Sequence, residues 1–311
     1  MKRWLKGLAV DTAWWIRKIL QEVLGPIALL LIRSIRRADR VRVANFTARL
    51  LRKFGPWLTE QRTARANLVA AFPEKSAHEI DKILEGSWDN LGRVTGEFPF
   101  LDKLRIQRPD DPLPPDIIYD DENLRRFEEM RNANCPSALF AAHLANWELP
   151  AIVAARAGIQ SAVLYRPPSM RAIAKAVLEI RKDCMGTLIP SGFDAPFRLA
   201  GALERGCNVG MLVDQHDHRG IDVTFFGRKC KVSPLLAQLA RNPGCSVRGL
   251  RIIRLADNNR FRGEMTDPLD LPRDADNHVD VQRTMQVVTS MIEGWVREYP
   301  EQWLWQHRRW R

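Results

Sequence analysis

At 311 residues, 45% of them apolar and 27% charged, the chain is too apolar to be disordered and long enough to bury a substantial core, so one large domain with a terminal appendage is expected. Its formal charge of +11 points to an anionic partner: nucleic acid, anionic lipid, or an acidic carrier or substrate. Five cysteines, an odd number with no C-x-x-C pair and no cleavable signal sequence ahead of them, speak against disulfide scaffolds and zinc ribbons and for reduced thiols in a cytoplasmic setting.

In chain order, the first feature is an apolar run, VLGPIALLLI at 23–32, about half the ~20 residues needed to span a bilayer. Eight Arg/Lys follow between Arg33 and Lys53, with only Asp39 opposing them. Val43, Phe46, Leu50 and Phe54 recur at three- and four-residue steps, which predicts a helix with one apolar and one cationic face. Such a helix either lies on an anionic membrane surface or docks on its own domain. The nearby Trp4, Trp14 and Trp15, in a chain with ten tryptophans and three tyrosines, favour the membrane. We therefore divide the chain into a membrane-associating helical segment, 1–55, and a globular domain, 56–311.

The stretch 60–131 reads as mainly helical, broken by PDDPLPPD at 109–116. From 138 onward short apolar runs alternate with helical ones, as in α/β folds. Strands are predicted near 138–143, 161–166, 187–190, 208–214 and 246–255. Helices are predicted near 147–157, 170–185, 195–205, 234–241 and 277–299, with Ser233 as an N-cap ahead of Pro234. The expected fold is a central mixed sheet flanked by helices.

His143 closes the first of those strands, at the carboxyl edge where open α/β folds place their chemistry. Five residues on stands Glu148, which can fold back to hold one imidazole tautomer while the other nitrogen takes a proton. A hydrogen-bonded structural histidine is the bland alternative. There is neither a G-x-S-x-G elbow nor a Walker-type phosphate loop, and a base without an enzyme nucleophile suits activation of a substrate hydroxyl.

AAHLANWELP at 141–150, LYRPPS at 164–169, LVDQHDHRGIDVTFFGRKCKVSP at 212–234 and YPEQWLWQHRRWR at 299–311 resemble, in order and spacing, the blocks of the lipid A biosynthesis acyltransferases, the lauroyl/myristoyl transferases with an HX4D/E motif. The resemblance implies transfer of an acyl chain from an acyl carrier protein or coenzyme A thioester to a hydroxyl of a lipid A precursor, at the cytoplasmic face of the bacterial inner membrane, with no cofactor. It makes His143 the general base and Glu148 its acidic partner, with Asn146 inside the motif. Arg166 would meet oxyanion charge or a phosphate. Asp214 and Gln215 match a D-Q block. Phe225, Phe226 and Gly227 match an F-F-G block, either a wall of the substrate cleft or core packing. Asp214, His216 and His218 have the spacing of metal ligands, but the mechanism needs no metal. Arg308 and Arg309 suit lipid headgroups or a sheet-capping role, and no nucleic-acid motif accompanies them. The alternatives are an acyltransferase for another glycolipid or lysophospholipid, such as a phosphatidylinositol mannoside, and a basic membrane-binding scaffold without catalysis.

Overall fold

The structure, a computed structural model, describes residues 30, 34–107, 112–133, 135–167 and 171–310. Trp4, Trp14, Trp15 and most of the apolar run at 23–32 lie outside the described residues. Helix starts follow local capping chemistry. The Asp39 carboxylate accepts the Arg42 N–H to open α1 (Arg40–Phe54), and α2 (Glu60–Ala71) follows. Ser76 and Glu79 cap each other's backbone N–H groups at the start of α3 (Ala77–Glu97). Asp120 opens α4 (Asp121–Asn132) in the same way as Asp39 opens α1, just after the short strand β1 (Ile117–Ile118).

Helix α1 does not choose between the two arrangements its periodicity allows. Its small residues Ala44 and Ala48 are buried against α3, where Gly92 and Gly96 admit the backbone. A Cβ at Gly92 would lie 2.6 Å from the Ala48 Cα, and one at Gly96 2.9 Å from the Ala44 Cα. The large apolar residues Phe46, Leu50 and Phe54 remain on the outside. Among the described residues no helix is long and apolar enough to cross a membrane.

The α/β part runs β2 (Ser137–Ala141), α5 (Leu149–Arg156), β3 (Ser161–Tyr165), α6 (Arg171–Cys184), β4 (Thr187–Pro190), α7 (Ala195–Glu204) and β5 (Asn208–Leu212). It continues through β6 (Ile221–Phe225), β7 (Arg228–Val232), α8 (Leu235–Leu239), β8 (Ser246–Arg254), β9 (Phe261–Met265) and α9 (Val281–Glu298). Seven strands form one sheet in the order β1-β9-β8-β2-β5-β3-β4. Only β8 and β9 pair antiparallel, so the sheet is mixed as expected. Central strands such as SALFA are buried throughout and mostly apolar because helices cover both faces.

Four strands escape the sequence reading. The antiparallel pair β6–β7 forms a separate ribbon. In IDVTF, Val223 and Phe225 face the core while Asp222 and Thr224 face out, a period-two pattern too short to stand out. Strand β9 carries two charges in five residues, and β1 has two residues. The predicted Ser233 cap moves by one residue: Pro234 holds the N-cap of α8, with no side-chain bond.

Candidate active site

Strand register brings the site together. Strands β2 and β5 are parallel neighbours, with Leu139 opposite Gly210 and Ala141 opposite Leu212. Carrying that register two residues past each strand sets His143 beside Asp214, at the carboxyl edge of the sheet. The His143 Nδ1 lies 2.7 Å from Asp214 Oδ1, and the His143 backbone N–H donates to Asp214 Oδ2 at 2.8 Å. The Trp303 indole N–H donates to the same Oδ2, also at 2.8 Å. An ionised carboxylate only accepts, so the Nδ1 proton is fixed and the Nε2 lone pair is left for chemistry. The Gln215 side-chain nitrogen stands 3.2 Å from that Nε2.

The partner at Nδ1 is therefore Asp214, where the spacing pointed to Glu148. Glu148 is bonded instead by Arg181, whose Nε and Nη2 donate to its two oxygens at 2.8 and 2.5 Å. The physical reason is direction. Glu148 sits at the N-terminus of α5, facing α6, while the neighbouring strand already presents a carboxylate to the imidazole.

Burial by itself would raise the Asp214 carboxyl. Attraction to the protonated form of the His143 ring, with the hydrogen bonds His143 gives, outweighs it and holds the group well below the usual carboxylate range. His307, whose ring centroid lies 6.4 Å from that of His143, is held below its ordinary value by burial, with Asp214 pulling the other way.

Residues 142–148 are pinned from several sides. Ala145 has a φ of 47°, a strained conformation for a residue with a Cβ. Its N–H donates to the Gln302 carbonyl, and its own carbonyl accepts from the Asn90 side chain. Asn146 is fully buried and donates to Glu97 at 2.8 Å. Glu97 is in turn gripped by Arg254 at 2.5 and 3.0 Å. The Leu304 N–H donates to the His143 carbonyl, and Leu144 bridges to Trp303. A C-terminal strap thus holds the histidine loop, and Asn146 contributes from inside the protein rather than from the cleft.

The imidazole opens into a cleft of about 510 Å³ that runs from the sheet edge down the face covered by α5. Glu148, Arg166, Arg181, Gln215, His216 and His218 line its mouth, with Arg166 exposed. Leu139, Val163, Gly210, Leu212 and Leu250 line its interior. A largely apolar pocket with a few convergent polar groups has the build of a small-molecule site.

The remaining site expectations fare differently. Phe225 and Phe226 are buried among Phe72, Trp303, Trp305 and Trp310, and with Gly227 they form the tip of the β6–β7 ribbon. None of the three lines the cleft, so this block is core packing and not a cleft wall. Phe226 and Gly227, with φ of 52° and 67°, make the tight turn. Both Asp214 oxygens are taken by His143 and Trp303, so Asp214 holds the imidazole, and the Asp214-His216-His218 metal alternative loses its carboxylate. Arg309 is buried over Phe225 and donates to the Lys231 carbonyl, a capping role, whereas Arg308 is exposed.

Comparison with protein families decides the identity. The model of the bacterial lipid A biosynthesis acyltransferase family matches residues 13–311. The chain belongs to that family. No curated protein matches it. For a member of an acyltransferase family, an imidazole nitrogen at the mouth of an apolar cleft is chemically apt, because the group to be moved joins a reactive carbonyl to a hydrocarbon chain. Sequence reasoning overlooked Trp303, Arg181, Glu97 and Arg254 in this member, each of which meets its partner only across a long stretch of chain.

Proposed function

We propose that this protein moves a fatty acyl chain from an acyl carrier protein or coenzyme A thioester to a hydroxyl of a lipid A precursor. The observation that carries the reading is the His143–Asp214–Trp303 hydrogen-bond chain, with its basic Nε2 turned toward a mostly hydrocarbon-lined cleft. His143 Nε2 takes the hydroxyl proton as that oxygen attacks the thioester carbonyl. Asp214 stabilises the imidazolium. The C–O bond forms, the C–S bond breaks, and the imidazolium returns its proton to the departing thiolate. Attack is direct, with no acyl-enzyme. In support, burial pushes the thiols of Cys184 and Cys245 up to about 11, away from nucleophilic use. Glu148 acts by fixing Arg181 at the mouth, where Arg181 and Arg166 offer positive charge to developing oxyanion or substrate phosphate.

We further propose that the protein works at the cytoplasmic face of the inner membrane, bound to anionic lipid. Supporting this, Phe46 and Trp57 are 64% and 77% exposed, beside the exposed Arg42, Arg49 and Lys53. Phe193 and Phe197, 95% and 73% exposed, follow β4 at the same sheet edge as the cleft mouth. The test incubates the full chain in detergent with acyl-carrier thioester and a lipid A precursor, and weighs the lipid product. Precursor heavier by one acyl group with wild type, and not with His143→Ala, is expected. Acylation of a phosphatidylinositol mannoside or lysophospholipid alone would move the assignment to another acceptor. No transfer to any acceptor would leave a membrane-binding scaffold.

A further inference from the structure

Gly210 lies near the middle of β5, with β2 on one side and β3 on the other. Its register partners are Leu139 and Val163, and all three line the cleft. The preceding Val209 is fully buried in the core on the opposite face, so position 210 turns toward the cleft. A Cβ built on Gly210 would meet nothing within 4 Å. Gly249 in β8 is different: a Cβ there would fall 2.7 Å from Phe140 Cζ, so packing demands the glycine. Protein packing makes no such demand at Gly210. Glycine weakens a strand interior, and its reasons there are a bulge, a bend or the close approach of a ligand or another backbone; the unbroken register of Gly210 with β2 and β3 and the open space over it leave the ligand.

The ligand's chemistry follows from the walls. Leu139, Val163, Leu212 and Leu250 surround the space, and it is continuous with the mouth that holds His143. Leu139 and His143 are four residue steps apart along and just past β2, at ~3.3 Å each about 13 Å, the length of roughly ten extended methylenes. One rung deeper stands Ser161, opposite Asn208, whose buried hydroxyl has no hydrogen-bond partner and ends the apolar stretch.

Resting on the acyl-transfer reading above, we propose that Gly210 sets the length of the donor's acyl chain. The chain runs down the cleft from the thioester at His143 and passes over the bare backbone at Gly210, and its methyl end stops short of Ser161. A side chain at position 210 shortens the channel.

The test offers donors with saturated chains of graded length, all on one carrier, to wild type, Gly210→Ala, Gly210→Leu and Leu139→Ala. Gly210→Leu is expected to move the preferred donor about four carbons shorter, with discrimination against longer chains growing about fourfold per methylene denied a place. Gly210→Ala moves it less, and Leu139→Ala moves it toward longer chains. Leu139→Ala keeps the test decisive should Gly210→Leu not fold. Folded variants whose chain-length profiles coincide with wild type, or fall equally at every length, would overturn the proposal while acyl transfer stands. A profile that instead follows the acceptor's chain length, varied in a second arm, would overturn it too. Wild type that transfers no chain from any donor would overturn acyl transfer itself, and this inference with it.

Discussion

Replacing Asp214 by asparagine keeps the shape of the site and inverts its chemistry. Oδ2 receives two donors that cannot turn into acceptors, the His143 backbone N–H and the Trp303 indole N–H. The asparagine oxygen must therefore take that place, which turns its NH2 group toward His143 Nδ1. Imidazole then accepts at Nδ1 and carries its proton on Nε2, so the nitrogen facing the cleft is no longer a base. The substitution also removes the charge opposite the developing imidazolium. Two unit charges ~4 Å apart interact by about 4 kcal/mol at an effective dielectric of ~20. Together with the wrong tautomer this should slow turnover by about three to four powers of ten, or about 4–5.5 kcal/mol of barrier, the scale of the same substitution behind another catalytic histidine. KM should change little and the fold should persist, since all three donors keep a partner or a substitute. Initial rates of thioester consumption measure the loss, and nitrogen NMR of His143 reports which ring nitrogen carries the proton. A folded Asp214→Asn protein that turns over nearly as fast as wild type would refute this account of the base.

Glu148 and Arg181 form one unit, so Glu148→Gln, Arg181→Gln and the double variant should lose similar activity; fully additive losses in the cycle would separate them. His307 is neutral in the fold because burial lowers its pKa from 6.5, and the unfolded chain therefore binds the extra proton. Its contribution to stability is full above about pH 6.5 and declines as pH falls below it. His307→Gln should flatten that slope in denaturant titrations, and an unaltered slope would contradict the assignment. Asp214, shifted down from 3.8, acts in a lower window, its contribution being lost as pH falls below that value toward its depressed folded pKa. Serine at Phe46, Leu50, Phe54 and Trp57 together should cut binding to anionic vesicles at least ~10-fold while leaving thermal stability nearly intact, because these side chains are exposed. Full vesicle binding by the variant, measured by cosedimentation, would place the membrane contact elsewhere.

Much of the sheet was legible because its central strands are short apolar runs; β4 was placed to the residue and β8 within one. His143 and Asp214 were also legible, each as the polar residue that ends such a run. Their pairing was not. It depends on β5 entering the sheet between β2 and β3, and strand order is a long-range property that no local spacing encodes. Proximity in sequence favoured Glu148 for that reason. The docking face of α1 was hidden because periodicity is read from large side chains, whereas Ala44 and Ala48 make the close approach to Gly92 and Gly96. The aromatic pair at Phe225 and Phe226 suggested a cleft wall, and only the ribbon's fold against the tryptophans of the C-terminal segment turns it inward.

The C-terminal strap also bears on the order in which the protein becomes competent during synthesis. Gln302, Trp303 and Leu304 bond to Ala145, Asp214 and His143, across 89 or more residues of chain already made. A nascent chain can lay β2 beside β5 and bring the imidazole near its carboxylate before those residues emerge from the ribosome. What it lacks until then is the second donor on Asp214 and the clamp on the left-handed Ala145, so the histidine loop has no fixed aim. The fixed aim of the imidazole therefore arrives late, after the apolar surfaces of the sheet and of α1 have formed, and a protein clipped just before Gln302 should keep most of its secondary structure while losing its hold on the histidine loop.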